Sequence, residues 1–332
     1  MHVSSVTDQF GTALSFSQQV VQFEDFSKLQ VNRIIIQDRL LPHECKKILI
    51  TYDGYLLGYA ETGMKYVTDR ISPDFTLIRM DAYAYPLVGV PNMTVLRQII
   101  LDSDYGYKLK VTVPDSLVVI NSGILESKTK MANNEICYKY KNRKRGWRID
   151  VAVAAYKEIN DDHLSVNFFC DSIAAIRLLQ YGTKALSCYK NWWGAIKNED
   201  IMTIIQTERG SGGQTDKTTI LLPEEAFANG GYENLFHELS HLWNVPIIEK
   251  QGLSPRWEEG LATFCQFLLA EKLLPEKEGV LKRAANSRLK WLGKMINKDT
   301  KLAITCLSDF GNEELTSYSY DQGMCLFTIL YY

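Results

Sequence analysis

The residues best suited to chemistry lie in one short segment, His237-Glu238-Leu239-Ser240-His241, which has the form H-E-x-x-H. On an α-helix, residues four positions apart lie on one face, about one turn from each other. Two imidazoles at that spacing can each bind one Zn²⁺ through a ring nitrogen at about 2.0–2.1 Å. Glu238 follows the first histidine and can take a proton from a water molecule activated by the metal. The chain has only five histidines, so the motif predicts a zinc site rather than a chance pairing.

A catalytic zinc site needs a third protein ligand and an open fourth position. Glu258 and Glu259 are candidates, because they precede an apolar pattern typical of a helix that could return past the two histidines. Adjacent acidic residues also occur at ordinary helix starts, where they complement the helix dipole. On spacing alone, both interpretations of this pair stay open.

Length and composition are those of an ordinary globular protein with room for two domains: 332 residues, 46% hydrophobic and 23% charged. The net charge of −2 gives no reason to expect nucleic acid or an anionic membrane as a partner. We expect no membrane segment in this chain, because no apolar run approaches the roughly 18 residues of a spanning helix.

Seven cysteines, an odd number without C-x-x-C spacing, lie mostly in apolar surroundings and predict buried free thiols in a reducing compartment. The N-terminus lacks a signal-peptide pattern. Both features favour a cytoplasmic location, although a fragment of a membrane-associated parent would have the same sequence features. The apolar end of the chain, residues 324–332, predicts a buried or a truncated last element.

The patterning changes near residue 156 and predicts an α+β protein. Residues 1–156 are expected to form a β-rich N-terminal domain, a saddle or a sandwich, with strands at 31–36, 47–52 and 108–113. Residues 157–332 predict an α/β domain, with a first helix capped by Asp171 or Ser172. Further strands are predicted at 164–169, 201–206 and 218–222, and further helices at 232–244, 256–273 and 278–296.

The motifs resemble those of the gluzincin metallopeptidases, most closely the aminopeptidase N family. His237-Glu-Leu-Ser-His-Leu-Trp243 matches its H-E-x-x-H-x-W, and Trp257-Glu-Glu-Gly-Leu-Ala262 is similar to its W-x-x-E-G-x-A. The resemblance implies that Glu259, before the glycine, is the third zinc ligand, rather than Glu258. The spacing is one residue shorter than is usual in that family, and the loop 246–255 could absorb the difference. His241 and its neighbours also resemble the glycyl aminopeptidases.

Tyr320-Asp-Gln-Gly323 is similar to the Y-x-K-G segment of that family. The resemblance implies that Tyr320 donates a hydrogen bond to the oxyanion of a tetrahedral intermediate, with Tyr318 as the alternative. It also implies a thermolysin-like fold for residues 157–332. The family continues beyond this tyrosine with more helices, so we expect a C-terminally truncated domain or a larger parent protein.

Gly210-Ser-Gly-Gly213 corresponds in place to the G-x-M-E-N edge strand that lines the substrate cleft of the family. The resemblance implies that Gly210, Ser211, Gly212 and Gly213 bind substrate, since glycines let a peptide backbone approach closely. The family's amine-gripping glutamate is missing, because Gly213 stands in its place. Glu208 or Glu258 could replace it, so the choice between exopeptidase and endopeptidase stays open. A simple flexible hairpin is the alternative for this segment.

These features predict a zinc metallopeptidase, aminopeptidase-like, with one Zn²⁺ per chain and a peptide as substrate. Glu238 would act as general base and return the proton to the leaving amine, and Tyr320 would stabilise the transition state. Asn244 would orient a ligand or cap the helix end. Two alternatives remain: a non-peptide hydrolase on the same scaffold, and a weakly active metal-binding or interaction module of a larger assembly. Glu238 favours an enzyme, because a pure metal binder needs no base.

Overall fold

The structure, a computed structural model, describes residues 1–56, 67–101, 105–143, 145–146, 148–196, 201–216, 218–228, 231–243, 257–306 and 316–332. It divides into two compact units, Met1–Tyr156 and Lys157–Tyr332. Helices and strands are both well represented, so the α+β prediction is confirmed. In the described part of the chain, no helix combines the length and the apolar character needed to cross a membrane.

The N-terminal unit is built from small antiparallel sheets. Its strands are β1 His2–Asp8, β2 Phe16–Gln22, β3 Gln30–Ile36, β4 Ile48–Asp53, β5 Thr76–Ile78, β6 Lys108–Pro114, β7 Val118–Asn121, β8 Ile124–Lys130, β9 Glu135–Lys141 and β10 Val151–Ala154. β1 pairs with β4 and β2 with β3, while β5-β10-β7 and β6-β9-β8 form three-stranded sheets. Exposed and half-buried side chains alternate along β6, as expected for a strand with one solvated face.

A helix in this unit, α1 Met93–Leu101, was not predicted from the sequence. Its first turn is capped from a distant part of the chain, because the Asp25 carboxylate accepts hydrogen bonds from the backbone N–H groups of Met93 and Thr94 at 2.7 and 2.9 Å. These are N–H groups that a helix start leaves without intrahelical partners. A cap 68 residues away leaves no local sequence signal.

Two buried ion pairs hold the interior of the N-terminal unit. Arg79 Nη2 lies 2.6 Å from Asp69 Oδ2, and Arg148 Nε lies 2.8 Å from Asp150 Oδ2. The exposed fraction of each of these four side chains is 2% or less. Such pairs are costly to desolvate but far more costly to break, since one partner alone would be an uncompensated buried charge.

The C-terminal unit places a five-stranded mixed sheet among helices. Its strands are β11 Lys157–Asn160, β12 Leu164–Phe168, β13 Met202–Thr207, β14 Gln214–Thr215 and β15 Thr219–Pro223. Its helices are α2 Ser172–Trp193, α3 Tyr232–Ser240, α4 Trp257–Leu273, α5 Val280–Ile296, α6 Thr300–Ile304 and α7 Thr316–Tyr331. The strand order is β11-β12-β13-β15-β14, with β12, β13 and β15 parallel and the two outer strands antiparallel. All residues of the three central strands are buried, as expected for a sheet covered on both faces.

The start of α2 and the burial of α7 test two of the predictions made from the sequence. The Asp171 carboxylate accepts a hydrogen bond from the Ile173 backbone N–H at 3.1 Å and caps α2, as predicted. The apolar end of the chain forms α7, which buries Met324 completely but leaves Leu330 73% exposed. The last element is therefore buried only in part.

Candidate metal centre

The two histidines of the H-E-x-x-H motif lie across the end of α3. The α-helix stops at Ser240, and His241–Trp243 continue as a 3₁₀-helix, so the predicted single helix over 232–244 tightens in its last turn. The rings of His237 and His241 stay neighbours, with centroids 5.0 Å apart. Asn244 and the loop 246–255 lie outside the described residues.

Glu259, in the first turn of α4, reaches both histidines with one carboxylate oxygen. Its Oε2 lies 3.2 Å from His237 Nε2 and 3.6 Å from His241 Nε2. A tetrahedral site with metal–ligand bonds of about 2.0–2.1 Å separates its ligand atoms by about 3.3 Å. The three ligand atoms all lie within 4.8 Å of one another, so they can surround one ion with only small adjustments.

The donor set fits zinc in its catalytic form. Two imidazole nitrogens and one carboxylate oxygen are the ligands of several catalytic zinc sites, which keep a fourth position for water or substrate. The side chains of His237, His241 and Glu259 are 13%, 17% and 18% exposed, so solvent reaches the group. In the described part of the chain, no other group of His, Cys, Asp and Glu has this geometry, and Glu258 does not belong to it.

The charges around His237 oppose the effect of burial on its pKa. Burial lowers its pKa, but a hydrogen bond with Glu259, the negative charges of Glu238 and Glu259 and a hydrogen bond with Gln266 outweigh it, so the pKa is raised above its usual value. Without metal, the nearby carboxylates therefore favour a proton on this imidazole. A bound cation would replace that proton in the same role, since a metal-bound histidine must be neutral.

Glu238 lies beside the ligands and is itself 8% exposed. Its Oε2 accepts a hydrogen bond from the Thr215 hydroxyl at 2.6 Å. Its Oε1 lies against Gly213, where an added Cβ would come within 3.0 Å of the carboxylate. The edge strand β14 and the residue before it therefore position the carboxylate next to the candidate metal ligands.

Tyr320 comes from α7 and faces the same group. Its ring lies 6.2 Å from the His237 ring, centroid to centroid, and nearly parallel to it at 8°. Tyr318, the alternative, instead stacks on Trp291 of α5 at 5.5 Å. Of the two tyrosines, Tyr320 is the one that the fold brings to the candidate metal ligands.

Helices α4 and α7 cross closely beside Glu259 and Tyr320. Gly260 follows Glu259 on α4, and Gly323 lies about one turn after Tyr320 on α7. A Cβ added to either glycine would lie only 2.7 Å from the Cα of the other. Asp321, beside Tyr320, is held from α5 by Arg288, with Arg288 Nε 2.7 Å from Asp321 Oδ1. The glycines of both motifs thus have a packing role.

The glycine segment leads from β13 into the edge strand. Its first residue, Gly210, has a positive φ of 81° and donates its N–H to Glu225 Oε1 at 3.0 Å. The buried Ser211 donates its N–H to the Glu208 carbonyl and closes the turn. Gly212 connects this turn to Gly213, the member of the segment that contacts Glu238.

Sequence reasoning missed Thr215, Gln266 and the contact between Gly260 and Gly323. Of these, only Gly260 and Gly323 stood in quoted motifs, Trp257-Glu-Glu-Gly-Leu-Ala262 and Tyr320-Asp-Gln-Gly323. No protein-family model matches the chain, and no curated protein matches it in sequence. The family resemblance therefore stays a prediction that rests on the motifs.

Proposed function

We propose that the C-terminal unit is a zinc-dependent metallopeptidase with a thermolysin-like catalytic domain, related to the aminopeptidase N family. One observation carries the proposal. Ligand atoms of His237, His241 and Glu259 lie within 4.8 Å of one another, the charge of Glu238 acts on His237, and the ring of Tyr320 lies 6.2 Å from that of His237. A site that only stored a metal would need the first three residues and neither of the other two.

Each residue has a role that follows from its type and place. When bound, zinc polarises a carbonyl and lowers the pKa of water towards neutrality. Glu238 accepts the proton of the attacking water and then delivers it to the leaving amine nitrogen. The Tyr320 hydroxyl donates a hydrogen bond to the oxygen that gains negative charge. His237, His241 and Glu259 hold the ion and leave its remaining position to the substrate.

The edge strand β14 supplies the natural place for a peptide backbone. Strand addition at a sheet edge is a general way to bind extended peptides, and β14 is the outer strand on this side of the described sheet. The strand follows Gly213 directly, so a bound peptide would lie close to Glu238. The substrate we propose is therefore an extended peptide, cleaved at a carbonyl next to the metal.

Three variants test the reaction and its metal, one of them a matched control. Glu238→Gln should keep one zinc per chain and lose turnover, because the amide cannot accept the proton. Glu259→Gln should weaken zinc binding by at least about 10–100-fold. Its control, Glu258→Gln, changes the adjacent carboxylate outside the triad and should retain zinc. Zinc content by atomic absorption and cleavage of a mixed peptide library measure these outcomes, and an active Glu238→Gln enzyme would refute the mechanism.

The preference for a free amino terminus needs its own measurement. A Cβ at position 213 would make the end of the Glu238 side chain shift, and glycine itself offers no carboxylate for the substrate amine. Rates with peptides that are free or acetylated at the N-terminus distinguish the two modes. Loss of cleavage on acetylation would support an aminopeptidase whose anchor lies elsewhere, and equal rates would support cleavage without an amine anchor.

A further inference from the structure

One short segment holds both carboxylate oxygens of Glu238. Gly213 lies against Oε1, and the Thr215 hydroxyl lies 2.6 Å from Oε2. The same hydroxyl is 3.1 Å from the Glu238 backbone carbonyl. Gly213 and Thr215 therefore lie against the two oxygens of the carboxylate.

The short distance identifies the stronger of the two Thr215 contacts. A threonine hydroxyl has one proton and can donate it to one acceptor at a time. Hydrogen bonds from a hydroxyl to a carboxylate are typically about 2.5–2.7 Å long and roughly twice as strong as neutral ones. The 2.6 Å contact falls in that range, so the proton points at Oε2 rather than at the backbone carbonyl.

We propose that Thr215 is a positioning residue for the general base Glu238, and that Gly213, which has no side chain, leaves room for the Glu238 carboxylate. The inference rests on the proposed function of the C-terminal unit. With Oε2 fixed by the hydroxyl and Oε1 packed on the glycine, the Glu238 carboxylate is held in one orientation. Thr215 acts on the reaction only through Glu238.

This role predicts an effect on turnover rather than on substrate binding. Thr215→Val keeps the β-branched shape that suits a strand, and it leaves the backbone of β14 able to pair. What it removes is the hydroxyl proton that orients Glu238. Loss of such an outer contact commonly costs about 10–100-fold in activity, so we expect a fall in kcat of that size with little change in KM.

The experiment compares zinc-loaded wild-type protein with Thr215→Val, Thr215→Ser and Thr219→Val. Thr219 is a matched control: it is buried in the neighbouring strand β15, and its hydroxyl has no hydrogen-bond partner among the described residues. Zinc content, kcat and KM are measured for each protein. Crystal structures of the wild type and Thr215→Val give the position of the Glu238 carboxylate.

We expect Thr215→Val to keep its zinc, lose kcat and release the Glu238 carboxylate from its place over Gly213. Thr215→Ser should recover most of kcat, and Thr219→Val should match the wild type. An unchanged kcat, a failure of serine to rescue, or an unmoved carboxylate would overturn the role of Thr215. The structural comparison needs no turnover. An inactive, zinc-loaded wild type would therefore refute the proposed function, while the carboxylate position still decides this inference.

Discussion

The crossing of α4 and α7 gives the sharpest test of how the candidate site is assembled. Gly323→Ala adds a methyl group 2.7 Å from the Cα of Gly260. Ordinary contacts of a Cβ begin at 3.4 Å. The two helices must therefore separate by about 0.7 Å, since backbone atoms cannot yield as a flexible side chain does. That separation moves Tyr320 away from Glu259.

Stability and activity should respond by different amounts. Overpacking costs about 1–3 kcal/mol, and the better helix propensity of alanine returns about 1 kcal/mol. The free energy of unfolding should therefore fall by no more than about 2 kcal/mol. A misplacement near 1 Å can cost about 100-fold in rate, so kcat should fall by one to two orders of magnitude while the protein stays folded.

Gly293→Ala is the control for helix propensity alone. Gly293 lies in α5, and a Cβ added there meets nothing within 4 Å. The variant should be stabilised by about 0.5–1 kcal/mol and keep wild-type kcat. Urea unfolding, zinc affinity by competition with a chelator, and peptide cleavage are measured for both variants. If Gly323→Ala behaves like Gly293→Ala in all three, the crossing does not set the site geometry.

Three further outcomes follow from the structure. Arg79→Leu should lower the free energy of unfolding by about 3–5 kcal/mol, because it leaves Asp69 buried without its ion-pair partner. The control Arg209→Leu, which removes one partner of an exposed ion pair, should cost less than about 1 kcal/mol. Equal losses of stability for the two variants in urea unfolding would contradict this. Iodoacetamide at about pH 8 should alkylate the exposed Cys45 well before the buried Cys325, because burial raises the pKa of the Cys325 thiol to about 11. Equal labelling of the two cysteines, measured by mass spectrometry, would count against the burial of Cys325. Zinc at about 100 times its dissociation constant should raise the free energy of unfolding by about 2.7 kcal/mol, and an unchanged denaturation midpoint would argue against a site in the folded protein.

Elements with local signals could be predicted from the sequence. The apolar runs at 164–169 and 201–206 correspond to β12 and β13 within a residue, and Asp171 begins α2 as its side chain suggests. Elements that depend on distant partners could not. The helix α1 is capped by Asp25, and β14 is only two residues long and exists through its pairing with β15.

The residues of the candidate site show the same difference between local signals and distant contacts. His237, Glu238 and His241 follow from a spacing that one helical turn converts into proximity. Glu259 and Tyr320 came from resemblance, because nothing in their local sequence says that α4 and α7 pass the end of α3. The cysteines show the limit of composition: their apolar surroundings predicted burial, yet Cys45 and Cys306 are exposed.

Gly213 shows why the packing around the candidate site could not be predicted from a sequence motif. Gly213 was predicted to let a peptide approach, but the space left by its missing side chain is next to the Glu238 carboxylate. An acidic side chain at 213 would require the end of the Glu238 side chain to shift, because its Cβ would lie too close to the Glu238 carboxylate. Because residue 213 is a glycine and offers no carboxylate, the proposed function requires that any selectivity for a free amino terminus come from another residue near the candidate site.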